Sequence, residues 1–413
     1  MNAFTWTFLA ALAASIATRL WLAQRQVAHV RAHRAAVPAT FADSIPLEAH
    51  QKAADYTVAK SRVGMVDMLV GAAALLALTL GGGIEWLSTQ WSRVFEAGGL
   101  AHGTALIASV VIVTSIVDLP FAIYRTFVVE QRFGFNRMTW RLFLADLAKH
   151  ALVEALIGLP LLVLVLWLMA QMGEGWWLWV WAVWVGFSLV FLLAYPRWIM
   201  PLFNKFSPVT DADLAARIER LLARCGFRSS GLSIMDGSKR SAHGNAFFIG
   251  LGATKRIVLF DTLVERLKPE EVEAVLAHEL GHFKLKHITK MLVINMASSL
   301  ALLWVLGRLI GEPWFYSGLG VATPSTAAAL VLFFFVLPVF VFFFSPLLSM
   351  LSRKHEFEAD AYAAEYADKR DLSNALVKLY KDNAATLTPD PLHSAFYDSH
   401  PPASTRIARL RTA

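Results

Sequence analysis

His278-Glu279-Leu280-Gly281-His282, led in by Leu267-Lys268-Pro269-Glu270-Glu271-Val272-Glu273-Ala274-Val275-Leu276-Ala277, is the stretch that decides how the rest of the chain is read. Pro269 suits a first helical residue, and Glu270, Glu271 and Glu273 suit the positive end of a helix dipole. Val272, Val275, Leu276 and Phe283 recur at helical spacing, so the segment reads as an amphipathic helix. Four residues along a helix amount to about 400° of rotation, which brings His278 and His282 onto nearly one face, where both imidazoles can meet one metal ion. Glu279 is turned away from that point and is placed to serve a water rather than the ion, the position of a general base.

The pattern is H-E-x-x-H, and it implies zinc. His287 lies five positions past His282, off the ligand face. Leu285 and Ile288 occupy the places where H-E-x-x-H-x-x-G-x-x-H needs Gly and His, which excludes that class. A third ligand must come from elsewhere.

Composition sets the surroundings. The chain has 413 residues, 56% of them hydrophobic and 17% charged, with a mean hydropathy of +0.51. That is too apolar for a water-soluble enzyme of this length and implies a membrane protein. The net charge of +7 comes from basic residues scattered between apolar runs, where they set topology and do not form a nucleic-acid surface. Cys225 is the single cysteine, so neither an internal disulfide nor a cysteine-rich metal site can form. This suits a catalytic domain on the reducing side of a membrane.

Seven apolar runs follow in order: Phe4 to Leu22, Met65 to Leu87, Leu106 to Phe127, Ala151 to Ala170, Trp176 to Leu193, Met291 to Ile310 and Ala327 to Leu348. No Lys or Arg precedes the first, so it reads as a retained span and not a signal peptide. The third reads as broken around Asp118-Leu119-Pro120. Arg25, Arg31, Arg34, Lys52, Lys60 and Arg62 mark Ala23 to Val63 as cytoplasmic, and Arg132, Arg137, Arg141 and Lys149 mark Val128 to His150 likewise. The loop Gly311 to Thr326 has no Lys or Arg. The N-terminus is therefore expected outside and the zinc segments inside, and the Ala- and Arg-rich spans suggest a bacterial inner membrane.

The expected fold is mainly α, a polytopic membrane protein of about seven spans with an α+β zincin-like catalytic domain. Its divisions are 1–194 for spans one to five, 195–290 for the zinc domain, 291–348 for spans six and seven, and 349–413 for a cytoplasmic C-terminal segment. Within the zinc domain, Thr210-Asp211-Ala212-Asp213 resembles a capping box opening an amphipathic helix closed by Gly226. Asn245 to Ile249 and Arg256 to Phe260 read as a hairpin joined through Gly250 to Lys255. Asp67, Asp118, Glu154, Asn295 and Arg308 lie within or beside spans, where ionisable and polar groups face protein or water.

The seventh span returns the chain beside the zinc helix and presents Ser352-Arg353-Lys354-His355-Glu356-Phe357-Glu358-Ala359-Asp360. On a helix Glu356 and Asp360 share a face, so Glu356 can complete a His, His, Glu site while Asp360 holds a ligating imidazole. Spacing leaves His355 and Glu358 open as alternatives.

With these residues the sequence resembles the CAAX prenyl protease type 1 family, integral-membrane zinc metallopeptidases, over nearly its whole length. The likeness rests on His278 to His282 and Glu356 to Asp360, on Phe133-Gly134-Phe135-Asn136, on Pro201-Leu202-Phe203-Asn204-Lys205-Phe206 and on Ser399-His400-Pro401-Pro402. It implies one zinc per chain held by His278, His282 and Glu356, with Asp360 behind them. It also implies a barrel of helices around a large water-filled chamber. By the same resemblance Asn245 contacts the substrate backbone and His400 polarises the scissile carbonyl. The expected reaction is peptide hydrolysis with Glu279 as base, on extended, membrane-associated or prenylated peptides. The partners are then a peptide substrate and the lipid bilayer, with no nucleic acid, and nothing in the sequence sets the oligomeric state. A stress-response membrane protease with fewer spans and no prenyl substrate is one rival. The other is a transporter with a structural zinc, which would need a fourth protein ligand.

Overall fold

A computed structural model describes residues 1–227, 231–249 and 256–412. Seven of its helices are long and apolar enough to cross a membrane. Their ends differ from the apolar runs because hydropathy marks only the part that needs a lipid surrounding, while the helices run on into water. The second begins at Leu47, not Met65, and ends at Leu78. The glycine run that follows turns the chain, with Gly82 at φ 78°, and Leu87 belongs to a separate short helix, Gly83–Trp91. The third, Leu100–Tyr124, is not broken at Pro120 but carries it and continues in wider π turns over Arg125–Glu130. A proline inside a span is tolerated where local π adjustments reorganise the backbone hydrogen bonds. The fourth, Trp140–Gln171, starts well before Ala151, with Thr139 accepting from the Leu142 amide.

The seventh span has no end at the membrane surface. Thr326–Val341 passes through one tight turn, Phe342–Phe344, directly into the helix Ser345–Tyr366. Only 6% to 22% of the residues in the apolar stretches of the first six spans are buried, against 56% in the seventh. Helices of a solid bundle would bury one whole face. These six are largely exposed along their apolar lengths, and the seventh packs into their contacts.

The two ends of this barrel differ. At one, Asn2 donates to the Trp314 carbonyl (2.8 Å), and Glu85 accepts from the Ala322 amide and the Thr323 hydroxyl, both at 2.9 Å. The N-terminus and the loop after the sixth span therefore share one end. At the other, Phe41 and Ile45, from between the first two spans, enter a core with Leu214, Ile257, Val272 and Leu376. Asp146 of the fourth span accepts from Arg240 Nε and Nη2 (2.8 and 3.0 Å), and Arg240 Nη1 donates to Asn204 (3.0 Å). Asn136 bridges to Ser241, and Phe135 stacks on His243. The segments Phe133 to Asn136 and Pro201 to Phe206 are thus joints that fix a small domain onto the barrel. Within the spans, Asp67 pairs with Arg125 across neighbouring helices.

That domain holds a four-stranded sheet ordered β1-β2-β4-β3, with β1 Phe206–Pro208, β2 Gly231–Met235, β3 Ala246–Ile249 and β4 Arg256–Phe260. β3 and β4 pair antiparallel as expected, and β3 is an edge strand. The connection from Gly250 to Lys255 lies outside the described residues. β2, Gly-Leu-Ser-Ile-Met, runs parallel to β4 and was not among the expected strands. The amphipathic helix is Ala212–Arg224, but its cap is Asp211, which accepts from the Asp213 and Leu214 amides, and Thr210 takes no part in a capping box.

Candidate active site

The site is built from two crossed helices. Pro269–Lys284, the histidine helix, starts at Pro269, and the Glu271 carboxylate accepts from the Lys268 amide at 2.8 Å. Ser345–Tyr366, the carboxylate helix, carries His355, Glu356, Glu358 and Asp360. The two approach closely where the first has no side chain. A Cβ on Gly281 would lie 3.0 Å from the Ala359 Cα and 3.1 Å from the Tyr362 Cβ. Gly281 is therefore the residue that lets the histidines reach the carboxylates.

His278 Nε2 and His282 Nε2 lie 3.2 Å apart. Glu356 completes a triangle, with Oε1 3.3 Å from His282 Nε2 and Oε2 3.5 Å from His278 Nε2. A tetrahedral metal with bonds of about 2.0–2.1 Å separates its ligand atoms by about 3.3 Å, so the spacing of the two nitrogens, and of each nitrogen from one carboxylate oxygen, matches such an ion. Glu356 is 3% exposed, and its buried Oε2 makes no hydrogen bond of acceptable geometry. Among the described residues no fourth His, Cys or carboxylate joins this group, which leaves one coordination position open. The site thus fits a metal.

The outer nitrogens of both imidazoles are engaged. His278 Nδ1 lies 2.9 Å from Asp360 Oδ1, which keeps the proton on Nδ1 and makes Nε2 the nitrogen that can bind a metal. Asp360 is held in turn by Arg406, whose Nε and Nη2 donate to its two oxygens at 2.8 and 2.5 Å. Arg406, 6% exposed, also places Nη1 3.4 Å from Glu356 Oε2. Sequence reasoning missed Arg406 because it lies in the last helix, Ala403–Thr412, 46 positions from Asp360, and carries no motif. His282 Nδ1 lies 3.1 Å from His287 Nδ1, and His287 Nε2 lies 2.9 Å from Glu358 Oε2. His287 is off the ligand triangle, as its spacing implied, yet it touches a member of it.

Burial lowers the His278 pKa, but the hydrogen bonds to Asp360 and Glu356 outweigh it and push the metal-free imidazole up to about 9. Burial raises the Glu279 carboxyl above its ordinary value, against the opposing pull of His278 and His282. Burial lowers and the Asp360 contact raises Arg406, the latter prevailing, so this guanidinium stays charged.

His400 is brought to the same place, with Nδ1 2.7 Å from Glu356 Oε2 and a side chain 61% exposed. Asn245 stands just before β3 and not in it. Its carbonyl accepts from the Phe260 amide (3.0 Å), its side-chain oxygen accepts from the Ala246 amide (2.8 Å), and the residue is exposed at the sheet edge.

Comparison with known proteins agrees with this construction at both of its levels. Residues 26–205 match the family model described as CAAX prenyl protease N-terminal, five membrane helices, and residues 208–413 match Peptidase family M48. A CAAX prenyl protease 1 homolog of Arabidopsis thaliana is 34% identical over 383 residues, covering 91% of this chain and 90% of that protein. The homolog of Dictyostelium discoideum is 40% identical over 293 residues, covering 70% and 68%. The crystal structure of S. mikatae Ste24p superposes with a TM-score of 0.91 at 29% identity, covering 99% of each chain, so the hollow helical barrel is shared. The first match takes in the second to fifth spans, the second takes in the histidine and carboxylate helices together with the last two spans, and full-length relatives join the same two parts. The chain is a membrane-embedded metalloprotease and belongs to the CAAX prenyl protease 1 family of M48 peptidases.

Proposed function

We propose that the metal is zinc, one per chain, held by His278, His282 and Glu356, and that Glu279 is the general base of peptide hydrolysis. The observation that carries this reading is the three-cornered set of Nε2, Nε2 and carboxylate atoms, 3.2 to 3.5 Å on each edge, with no fourth protein ligand among the described residues. Zinc bound there supplies Lewis acidity and lowers the pKa of water toward about 7. Glu279, with a carboxyl raised by burial, takes the proton from the attacking water and passes it to the departing amine. Asp360 keeps His278 in the tautomer that presents Nε2, and Arg406 keeps Asp360 in place. His400, exposed beside Glu356, is assigned to the scissile carbonyl oxygen, where removal of a donor costs about 100- to 1000-fold in rate.

Substrate is held as an added strand. β3 packs against the histidine helix and, among the described residues, is the edge strand of the sheet, and Asn245 at its start is assigned to the peptide backbone. Main-chain pairing of this kind reads extended backbone more than side chains. The relatives are named CAAX prenyl proteases, and prenylated peptides are accordingly substrates here, accepted but not required. The zinc end of the barrel gathers the basic stretches after the first and third spans, while Gly311 to Thr326 at the other end has no Lys or Arg. That asymmetry supports a cytoplasmic zinc end and an N-terminus outside, and the Ala- and Arg-rich spans support a bacterial inner membrane.

The test compares purified enzyme with Glu279→Gln on matched prenylated and unmodified peptides, the cuts being read by mass spectrometry. Cleavage of both by the wild type alone is expected. Cleavage confined to the prenylated peptide would end the broad-specificity reading, and equal cleavage by Glu279→Gln would end the assignment of the base.

A further inference from the structure

His287 is the first residue of the sixth span, His287–Leu309, and it reaches the site through an unusual turn. Lys286 adopts φ 58°, ψ 31°, a left-handed conformation that disfavours side chains with a Cβ. This residue lies between the end of the histidine helix and the start of the span. Just past it, His287 Nδ1 lies 3.1 Å from His282 Nδ1. Two imidazole nitrogens at that distance share one proton. His287 Nε2 lies 2.9 Å from the Glu358 carboxylate, which only accepts, so Nε2 carries the His287 proton and Nδ1 is its lone pair. The shared proton then belongs to His282 Nδ1, and His282 Nε2 is left as a lone pair facing Glu356 and His278.

We propose that Glu358 and His287 form a hydrogen-bonded chain that fixes the tautomer and ring plane of the metal ligand His282, making His287 a positioning residue with Glu358 behind it. The inference rests on the reading of His282 as a zinc ligand. The chain mirrors, through one extra imidazole, what Arg406 and Asp360 do for His278 on the other side. His355, 5% exposed, stacks flat on His287 with centroids 4.0 Å apart and planes 11° apart, which holds the ring in the plane the two hydrogen bonds need.

His287, His355 and Glu358 are also close enough to take a metal of their own. The geometry favours the chain. Both His287 nitrogens are already engaged, and face-to-face rings direct their lone pairs along parallel planes and not toward one point.

The experiment measures zinc dissociation constants and stoichiometry by chelator competition on full-length enzyme in detergent, without reference to turnover. His287→Leu fills the imidazole's space but cannot accept a hydrogen bond, and it should weaken zinc binding about 10- to 100-fold. His287→Asn places an amide oxygen near the lost Nδ1 and should recover most of that loss. At the second position, Glu358→Leu should weaken zinc severalfold while Glu358→Gln, which still accepts from His287, should not. A packing role predicts the reverse order at 287, with Leu near wild type and Asn worse, and that result would overturn the proposal. Two zinc ions per wild-type chain, one of them lost in His355→Ala, would overturn it in favour of a second metal site. Equal zinc affinity in wild type and His287→Leu refutes the positioning chain alone. Absence of zinc from the wild type refutes the ligand assignment, and the chain with it.

Discussion

Gly281 and Ala359 are pressed together where the two ligand helices cross: an added Cβ at 281 would sit 3.0 Å from the Ala359 Cα and 3.2 Å from its carbonyl oxygen. Those neighbours are backbone and cannot rotate aside. Gly281→Ala must therefore push the helices apart by several tenths of an ångström. The expected cost is about 1–3 kcal/mol of stability. Zinc affinity should fall as well, because the shift carries Glu356 away from the histidines. Thermal unfolding and chelator competition on the purified variant check both; unchanged zinc affinity would show that the crossing has slack.

Binding and chemistry separate at neighbouring positions. Glu279→Gln should lower the rate about 100- to 10,000-fold while zinc stays at one per chain. His282→Ala and Glu356→Ala should lose the metal as well as the rate. Zinc analysis beside peptide turnover decides it. Loss of metal from Glu279→Gln, or from Glu358→Ala and not Glu356→Ala, would reassign the ligands.

Arg406 is a buried cation between Asp360 and Glu356. Arg406→Met leaves the buried Asp360 carboxylate with His278 as its remaining partner, and removing one partner of a buried charge pair costs up to about 3–5 kcal/mol. Arg406→Lys should restore little, since an ammonium cannot span both Asp360 oxygens. Unfolding midpoints of the two variants against Asp360→Asn, which removes the charge that Arg406 answers, provide the check.

Protons compete with the metal at His278. Its metal-free pKa is about 9, above the free value of 6.5, so the imidazole is charged at pH 7.5 and must lose that proton to become a ligand. Zinc uptake at pH 7.5 should release close to one proton from His278, and affinity should fall about tenfold per pH unit below 9. The same raised pKa stabilises the metal-free fold fully below pH 6.5, and that contribution disappears as pH rises through 9. Calorimetry in buffers of different ionisation enthalpy measures the release. A heat independent of buffer at pH 7.5 would contradict it.

Topology is open to single-cysteine labelling in a Cys225→Ser background. Gly311 is exposed with open space about its Cα, and Glu219 is exposed on the zinc domain. A membrane-impermeant maleimide applied to intact cells should label Gly311→Cys and spare Glu219→Cys, and inside-out vesicles should give the opposite pattern. The reverse result would invert the assigned orientation.

What the sequence made legible was local. His278, Glu279 and His282 follow from the helical period within five residues, and Glu356 with Asp360 from the same period on another helix. Resemblance was needed to choose Glu356 over His355 and Glu358, because spacing alone treats them alike. Arg406 and His287 act through contacts that depend on how helices cross and how the chain turns at Lys286, and no periodicity encodes either. The span ends were misplaced for a related reason. Leu47 to Arg62 is polar enough to leave the bilayer yet remains helical because it packs on the first span and on the zinc domain.

The helix that carries Glu356 is the unbroken continuation of the seventh span. During synthesis the two histidines are made first, and the chain must then thread two more bilayer crossings before the third corner of the triangle exists. The H-E-x-x-H helix alone therefore lacks the third corner, and assembly of the triangle waits on the last apolar segment, whose helix carries Glu356 out of the membrane to the histidines.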